Sequence, residues 1–209
     1  MKEDLARALV GFKKDVVLGE IMQRLGDGEA PLQIIRELQD GMGLIGQKFE
    51  TGDYFLSELL MSADLFSKAM EILEPKIEET AMDTIGTLVI GTPKGDIHDI
   101  GKNIFCTVAK GNGFEVIDLG INVPARRFVD AVAEIKPQIL GFSALLTPSF
   151  EPMRAVVDLL VEQDLRDRVK IIVGGGVTTE TVKKYVGADA QTADVMDGIK
   201  LCKGFLGLT

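Results

Sequence analysis

From residue 84 onward the chain keeps one rhythm. A short apolar run is followed by a loop and then by a stretch with helical spacing, and the unit recurs five times. The runs are Thr87–Ile90, Glu115–Leu119, Ile139–Phe142, Lys170–Val173 and a weaker fifth at Ala188–Thr192. Helical stretches follow at about Ile100–Lys110, Ala125–Ile135, Glu151–Gln163, Thr178–Tyr185 and Asp194–Phe205. Apolar runs that alternate with helices predict a parallel sheet covered by helices on both faces. Five strands in about 120 residues predict a flavodoxin-like, Rossmann-type order, in which ligands sit beyond the carboxyl ends of the strands. Those ends are where this sequence concentrates its glycines and polar residues.

Up to about residue 80 the spacing is helical instead. Leu56, Leu59, Leu60, Ala63, Phe66, Met70 and Leu73 hold one face of a single helix. Leu5–Leu25 and Pro31–Ile45 also read as helical, separated by the break Gly26-Asp27-Gly28, with Pro31 suited to a first helical turn. Four short helices fit this half. Glu74-Pro75 and the polar stretch to Asp83 read as a helix end and a linker. The expected architecture is therefore α plus α/β: a four-helix domain over 1–83 and a five-stranded parallel α/β domain over 84–209.

Composition removes several functions. A net charge of −9 opposes nucleic-acid binding, which needs clustered Lys and Arg. No apolar run reaches the roughly 18 residues that span a bilayer. The charged start, Met1–Arg7, lacks the apolar stretch of a signal peptide, so a cytoplasmic location is expected. Cys106 and Cys202 stand alone, which argues against a disulfide framework or a structural zinc site. His98 is the single histidine, so no multi-histidine metal site is available.

The loop after the first strand carries Gly91, Gly95, Asp96, Ile97, His98, Asp99, Ile100 and Gly101 before entering a helix. Asp96, two residues from His98, is close enough in a turn for its carboxylate to accept the imidazole N–H. The other ring nitrogen would then be free for a metal, with its tautomer fixed and its basicity raised. The glycine spacing matches neither common nucleotide-binding loop. Taken alone, this is equally an exposed Asp/His loop of no special function.

After the third run come Gly141, Ser143, Leu145, Thr147 and Ser149; after the fourth come Gly174, Gly175 and Gly176. Each has a plain alternative: the glycines as a turn, Ser143 as a helix cap. Together, Asp-x-His-x-x-Gly, Ser-x-Leu and Gly-Gly after runs one, three and four resemble the cobalamin-binding fold of methionine synthase, of the corrinoid proteins of methyltransferase systems, and of some adenosylcobalamin mutases. The resemblance implies a cobalamin or related corrinoid cofactor whose lower base leaves cobalt and enters a slot in the domain. It implies His98 as the lower cobalt ligand, Asp96 as its orienting partner and Ser149 as the third member of a Ser–Asp–His relay. It further implies Gly101 beside the nucleotide tail, Ser143 and Leu145 in the slot, and room for the tail at Gly174 and Gly175, with Gly95, Ile97, Asp99, Ile100, Thr147 and Gly176 in the same binding loops.

The segment from Gly46 through Phe49 and Leu56 to Ala63 resembles the helical cap preceding the cobalamin domain of methionine synthase, which implies that Phe49 and Leu56 lie over the upper corrin face. The alternative is that both are ordinary helix-core residues. A cap favours a methyl carrier that serves a substrate-specific methyltransferase (O-demethylase, methylamine or methanol type), an acceptor methyltransferase acting on tetrahydrofolate or a thiol, and a reductive activator. By this resemblance the isolated chain turns nothing over by itself. The small subunit of an adenosylcobalamin mutase, which lacks the cap, a cobalamin-dependent sensor, which adds a DNA-binding domain, and a cobalamin store or chaperone stay as alternatives. The linker around Pro75–Asp83 is the expected hinge.

Overall fold

The computed structural model describes residues 4–76 and 84–208, so residues 77–83 of the expected hinge lie outside the described residues. Contacts divide the chain into two compact units, one N-terminal and one built from 84 onward, with the turn at Gly111–Gly113 clustering with the first.

The N-terminal unit holds four helices: α1 (Leu5–Val10), α2 (Lys14–Gly26), α3 (Pro31–Thr51) and α4 (Leu56–Leu73). The Asp4 carboxylate caps α1 by accepting the Arg7 N–H. The expected run Leu5–Leu25 is two helices, because Gly11 ends the first and Phe12 takes a left-handed φ of 55°. The expectation of short helices fails for α3, which continues past Ile45 for two more turns until Gly52, at φ 80°, stops it. α4 buries Leu59, Ala63, Phe66, Met70 and Leu73 of the predicted face in one core with Leu9, Ile21, Ile34, Leu38 and Ile45 of the same unit, whereas Leu56 and Leu60, also expected on that face, are exposed near the start of the helix. Arg24 is buried within this unit and bonds both Glu29 and Glu37, so its charge is neutralised where water cannot reach it.

The second unit is a parallel sheet of β1 (Gly86–Gly91), β2 (Phe114–Asp118), β3 (Ile139–Ser143), β4 (Lys170–Gly174) and β5 (Ala190–Thr192) in the order β2-β1-β3-β4-β5. Helices α5 (Ile100–Gly111), α6 (Ala125–Ile135), α7 (Phe150–Glu162), α8 (Glu180–Val186) and α9 (Val195–Phe205) complete it. Side chains alternate across each strand. Val89, Leu140, Phe142, Ile171 and Val173 pack with Phe128, Val132, Met153, Val156 and Leu160 of α6 and α7, with Phe128 edge-on to Phe142. Leu88, Ile90, Ile139 and Ile172 are buried on the other face. The chain reverses direction across the sheet between β1 and β3, the position at which this topology opens a crevice.

Candidate cofactor site

β1 ends at Gly91, where a Cβ would come within 2.9 Å of the Phe128 ring, so glycine lets the strand close onto the core. The following turn, Pro93 to Asp96, is closed by the Asp96 N–H to the Pro93 carbonyl (3.1 Å), with Gly95 at φ 90° in its third position. His98 follows two residues later, its side chain 47% exposed.

The Asp96 side chain is fully buried and is the hub of the site. Oδ1 accepts from the His98 backbone N–H (3.0 Å) and from His98 Nδ1 (2.7 Å). Oδ2 accepts from the backbone N–H groups of Leu145 (2.8 Å) and Leu146 (3.1 Å) and from the Ser149 hydroxyl (3.1 Å). Burial opposes ionisation of this carboxyl. It is outweighed by the donated hydrogen bonds of Leu145, His98 and Ser149, which hold the group down at about 2. An ionised carboxylate can only accept, so His98 Nδ1 donates, and Nε2 presents a lone pair. Ser149, almost fully buried at the end of a 310 turn that begins at Thr147, thus bonds the Asp96 that holds His98, the arrangement the resemblance implied.

An open cleft of about 430 Å³ lies at the carboxyl ends of β1, β3, β4 and β5, lined by Ile90, Gly101, Phe105, Ser143, Ile172 and Gly174 among others. Of the predicted residues, Gly101, Ser143 and Gly174 face this cleft. A Cβ on Gly101 would meet nothing within 4 Å, so it would project into free space. Leu145, Thr147, Gly175 and Gly176 do not line the cleft. Leu145 serves through its N–H, while Gly175, at φ 114°, passes so close to Ala144 that a Cβ would sit 2.0 Å from its carbonyl oxygen. Gly175 is therefore required by the chain itself. Asp99 accepts from the Asn103 side chain (3.2 Å), and Ile97, Ile100 and Leu145 are exposed around His98. Phe49, near the end of α3, is half-buried, and Leu56, the first residue of α4, is exposed.

Sequence reasoning missed Lys102, whose buried ammonium pairs with Asp118 and donates to Asn103 (2.8 Å), and the stretch Thr192–Val195, which closes the cleft from the β5 side. It also missed Asn122. Cys106 and Cys202 are free and buried, and burial pushes both thiols up to about 12, far from a reactive thiolate.

These residues fit a corrinoid better than a bare ion. Among the described residues no group of three or more His, Cys, Asp or Glu could hold a metal. A lone imidazole with a free Nε2 would suit a metal that arrives already held by its own organic chelate and needs one donor from the protein. The cleft beside it, apolar at Ile90, Phe105 and Ile172, suits a flat heteroaromatic appendage.

Family comparison decides the matter: a B12 binding domain model matches residues 86–198, and a second one matches residues 1–74. The chain belongs to the B12-binding protein family. Its cofactor is cobalamin or a related corrinoid. A dimethylamine corrinoid protein of Methanosarcina barkeri is 36% identical over 98% of this chain and 96% of its own length. Among solved structures, a cobalamin-binding protein of Desulfitobacterium hafniense superposes with TM-score 0.74 at 36% identity, covering 96% of both chains. A chain of the methanol:cobalamin methyltransferase complex of Methanosarcina barkeri gives TM-score 0.85 at 28% identity, over 99% of this chain and 79% of that one. No described helix is long and apolar enough to cross a membrane.

Proposed function

We propose that this chain is a methyl carrier of the cytoplasm, accepting a methyl group from a substrate-specific methyltransferase and delivering it to a second one acting on tetrahydrofolate or a thiol. The observation that carries this reading is His98, held through Nδ1 by a buried carboxylate with Nε2 left free beside an apolar cleft. When bound, the corrinoid supplies a cobalt centre that can take up a methyl group and give it away. His98 would hold it through Nε2, with Asp96 fixing the tautomer and ring plane. Ser149 and the Leu145 and Leu146 amides keep Asp96 ionised. A proton taken up at Nε2, opposite an Asp96 that stays anionic, would hold the imidazole off the metal. Gly101, Ser143 and Gly174 would admit the nucleotide tail and base.

The N-terminal unit, 1–83, serves in this reading as the cap, with Phe49 and Leu56 excluding water above the ring. The support is an exposed apolar group on that unit, Phe55, Leu56, Leu60 and Met61, larger than a lone surface residue explains. The names of the relatives favour a methylamine or methanol donor over an O-demethylase substrate.

The test is the visible spectrum of the full chain loaded with hydroxocobalamin, beside His98→Ala. Bound cofactor whose spectrum changes on substitution supports ligation, since no other imidazole can substitute. An unchanged spectrum refutes it. The carrier role is read by methyl transfer from dimethylamine or methanol, which should require an added partner methyltransferase; turnover without one overturns it.

A further inference from the structure

The loop that carries His98 is held on one side by Asp96 and the segment after β3. On its other side it meets the loop between β2 and α6, which the function just proposed leaves unused. There the Thr92 N–H donates to the Gly120 carbonyl (2.9 Å), the Val123 N–H donates to the Thr92 carbonyl (2.9 Å), and Pro93 bridges to Val123. Asn122 stands between these contacts. Its backbone N–H donates to the Asp96 carbonyl (3.0 Å), and its side-chain Oδ1 accepts the Gly95 N–H (2.9 Å). One residue thus closes on two successive residues of the turn that precedes His98.

Its backbone is the price of this grip. Asn122 has φ 52°, the left-handed region, where a residue with a Cβ is disfavoured and asparagine is among the more tolerant. A glycine would hold this φ without strain but has no side-chain acceptor. The residue is exposed, so neither bond is shielded from water and neither does much for the sheet. What the pair restrains is local: the two peptides that flank Gly95 and Asp96, one through the Gly95 N–H and one through the Asp96 carbonyl. On that segment depend the Asp96 side chain and, through Oδ1, the plane of the imidazole. Thr92 adds a third tie, its hydroxyl donating to the His98 carbonyl (3.1 Å).

We propose that Asn122 is a positioning residue for the metal ligand: it fixes the Gly95–Asp96 turn from the β2 side so that His98 Nε2 is presented in one orientation. This rests on His98 being the lower ligand. Asn122→Gly removes the side-chain acceptor and keeps both the φ and the backbone donor, whereas Asn122→Asp keeps an acceptor oxygen. Losing one such hydrogen bond should weaken the His-on form about 3- to 10-fold. Cob(I)alamin has no lower ligand, so weaker ligation destabilises only the Co(II) side of the couple. The Co(II)/Co(I) midpoint of the loaded chain should then rise by about 30 to 60 mV, at 59 mV per tenfold for one electron.

The experiment loads the full chain and its His98→Ala, Asn122→Gly and Asn122→Asp variants with hydroxocobalamin. It measures the Co(II) electron paramagnetic resonance spectrum, the midpoint potential and the thermal midpoint. The expected result is that Asn122→Gly melts with the parent, shows a larger His-off fraction and a raised potential, and that Asn122→Asp restores both. An Asn122→Gly protein with the parent's spectrum and potential overturns the proposal, as does one that fails to fold, since a restraint confined to the loop leaves the sheet intact. If His98→Ala itself leaves the Co(II) spectrum unchanged, the ligand assignment has failed instead.

Discussion

Replacing Asp96 by Asn tests the centre of the site, because an amide of the same shape cannot satisfy the five donors that converge there. If the amide NH2 takes the place of Oδ2, it faces the N–H groups of Leu145 and Leu146, and buried donors are left without acceptors. If it takes the place of Oδ1, it opposes the His98 N–H and donates to Nδ1, which moves the ring proton to Nε2 and blocks the lone pair proposed to bind the metal. Either orientation strands at least one buried N–H, at about 1–3 kcal/mol. The same hydrogen bonds also favour the ionised carboxylate. Folding lowers the Asp96 carboxyl from 3.8 to about 2, which at roughly 1.4 kcal/mol per pH unit is about 2 kcal/mol favouring the folded, ionised form. Since the folded value is depressed, that stability is complete above about pH 4–5 and disappears as the pH falls through 2. The two costs overlap, so cofactor-free Asp96→Asn should lose about 2–4 kcal/mol at pH 7, lowering the melting temperature by about 5–15 °C. The gap to wild type should narrow by about 1 kcal/mol at pH 3. Thermal unfolding of both proteins at the two pH values reads this directly. A variant as stable as wild type, or a gap equal at pH 3 and pH 7, would refute the reasoning.

Ser149→Ala removes one of three donors to Oδ2 and leaves the imidazole contact in place, so it should cost about 1 kcal/mol in a thermal melt and perturb the loaded spectrum far less than Asp96→Asn. Gly175→Ala places a methyl on the Ala144 carbonyl at a φ of 114°, and should lose more than about 3 kcal/mol or fail to accumulate as soluble protein. Gly101→Ala is the contrast: in the first turn of α5 with open space around it, it should leave apo stability unchanged or raise it by up to about 1 kcal/mol in a thermal melt, while hydroxocobalamin uptake falls. Arg24→Met strands Glu29 and Glu37; because Glu37 is partly exposed and can rehydrate, the loss in chemical denaturation of the N-terminal unit should be about 2–3 kcal/mol, below the full cost of breaking a buried pair.

The sheet was legible because its inner strands β1, β3 and β4 are buried on both faces and read as apolar runs, whereas the edge strands β2 and β5 are only partly buried and signal more weakly; the α4 stripe was plain from Ala63 onward. Helix ends were less so. Nothing in Leu5–Leu25 but Gly11 marks the break before α2, and α3 runs on through Gly46 because packing of its apolar face outweighs one poor helix former. At the site, Asp96 and His98 were readable because they are neighbours in sequence, and Ser149 only through resemblance. Asn122 and Lys102 could not be read. Their partners, Gly95 and Asp118, are brought to them by the pairing of β1 with β2, and the residue types themselves are commonplace.

The strand order explains why His98, the proposed metal ligand, is placed at this point of the sheet edge. β1 is flanked by β2 on one side and β3 on the other, and the connections leaving β1 and β3 run to opposite edges of the sheet, so the loop after β1 lies at the switch point. Three of the five donors to Asp96 come from the segment after β3, and the restraints on Gly95 and on the Asp96 carbonyl come from the loop after β2. The aim of His98 is therefore inherited from the registers of two strand pairs, not from its own loop. A loop rich in glycine and exposed at His98 can hold its imidazole in one orientation because both neighbours grip its backbone and Asp96 Oδ1 holds Nδ1.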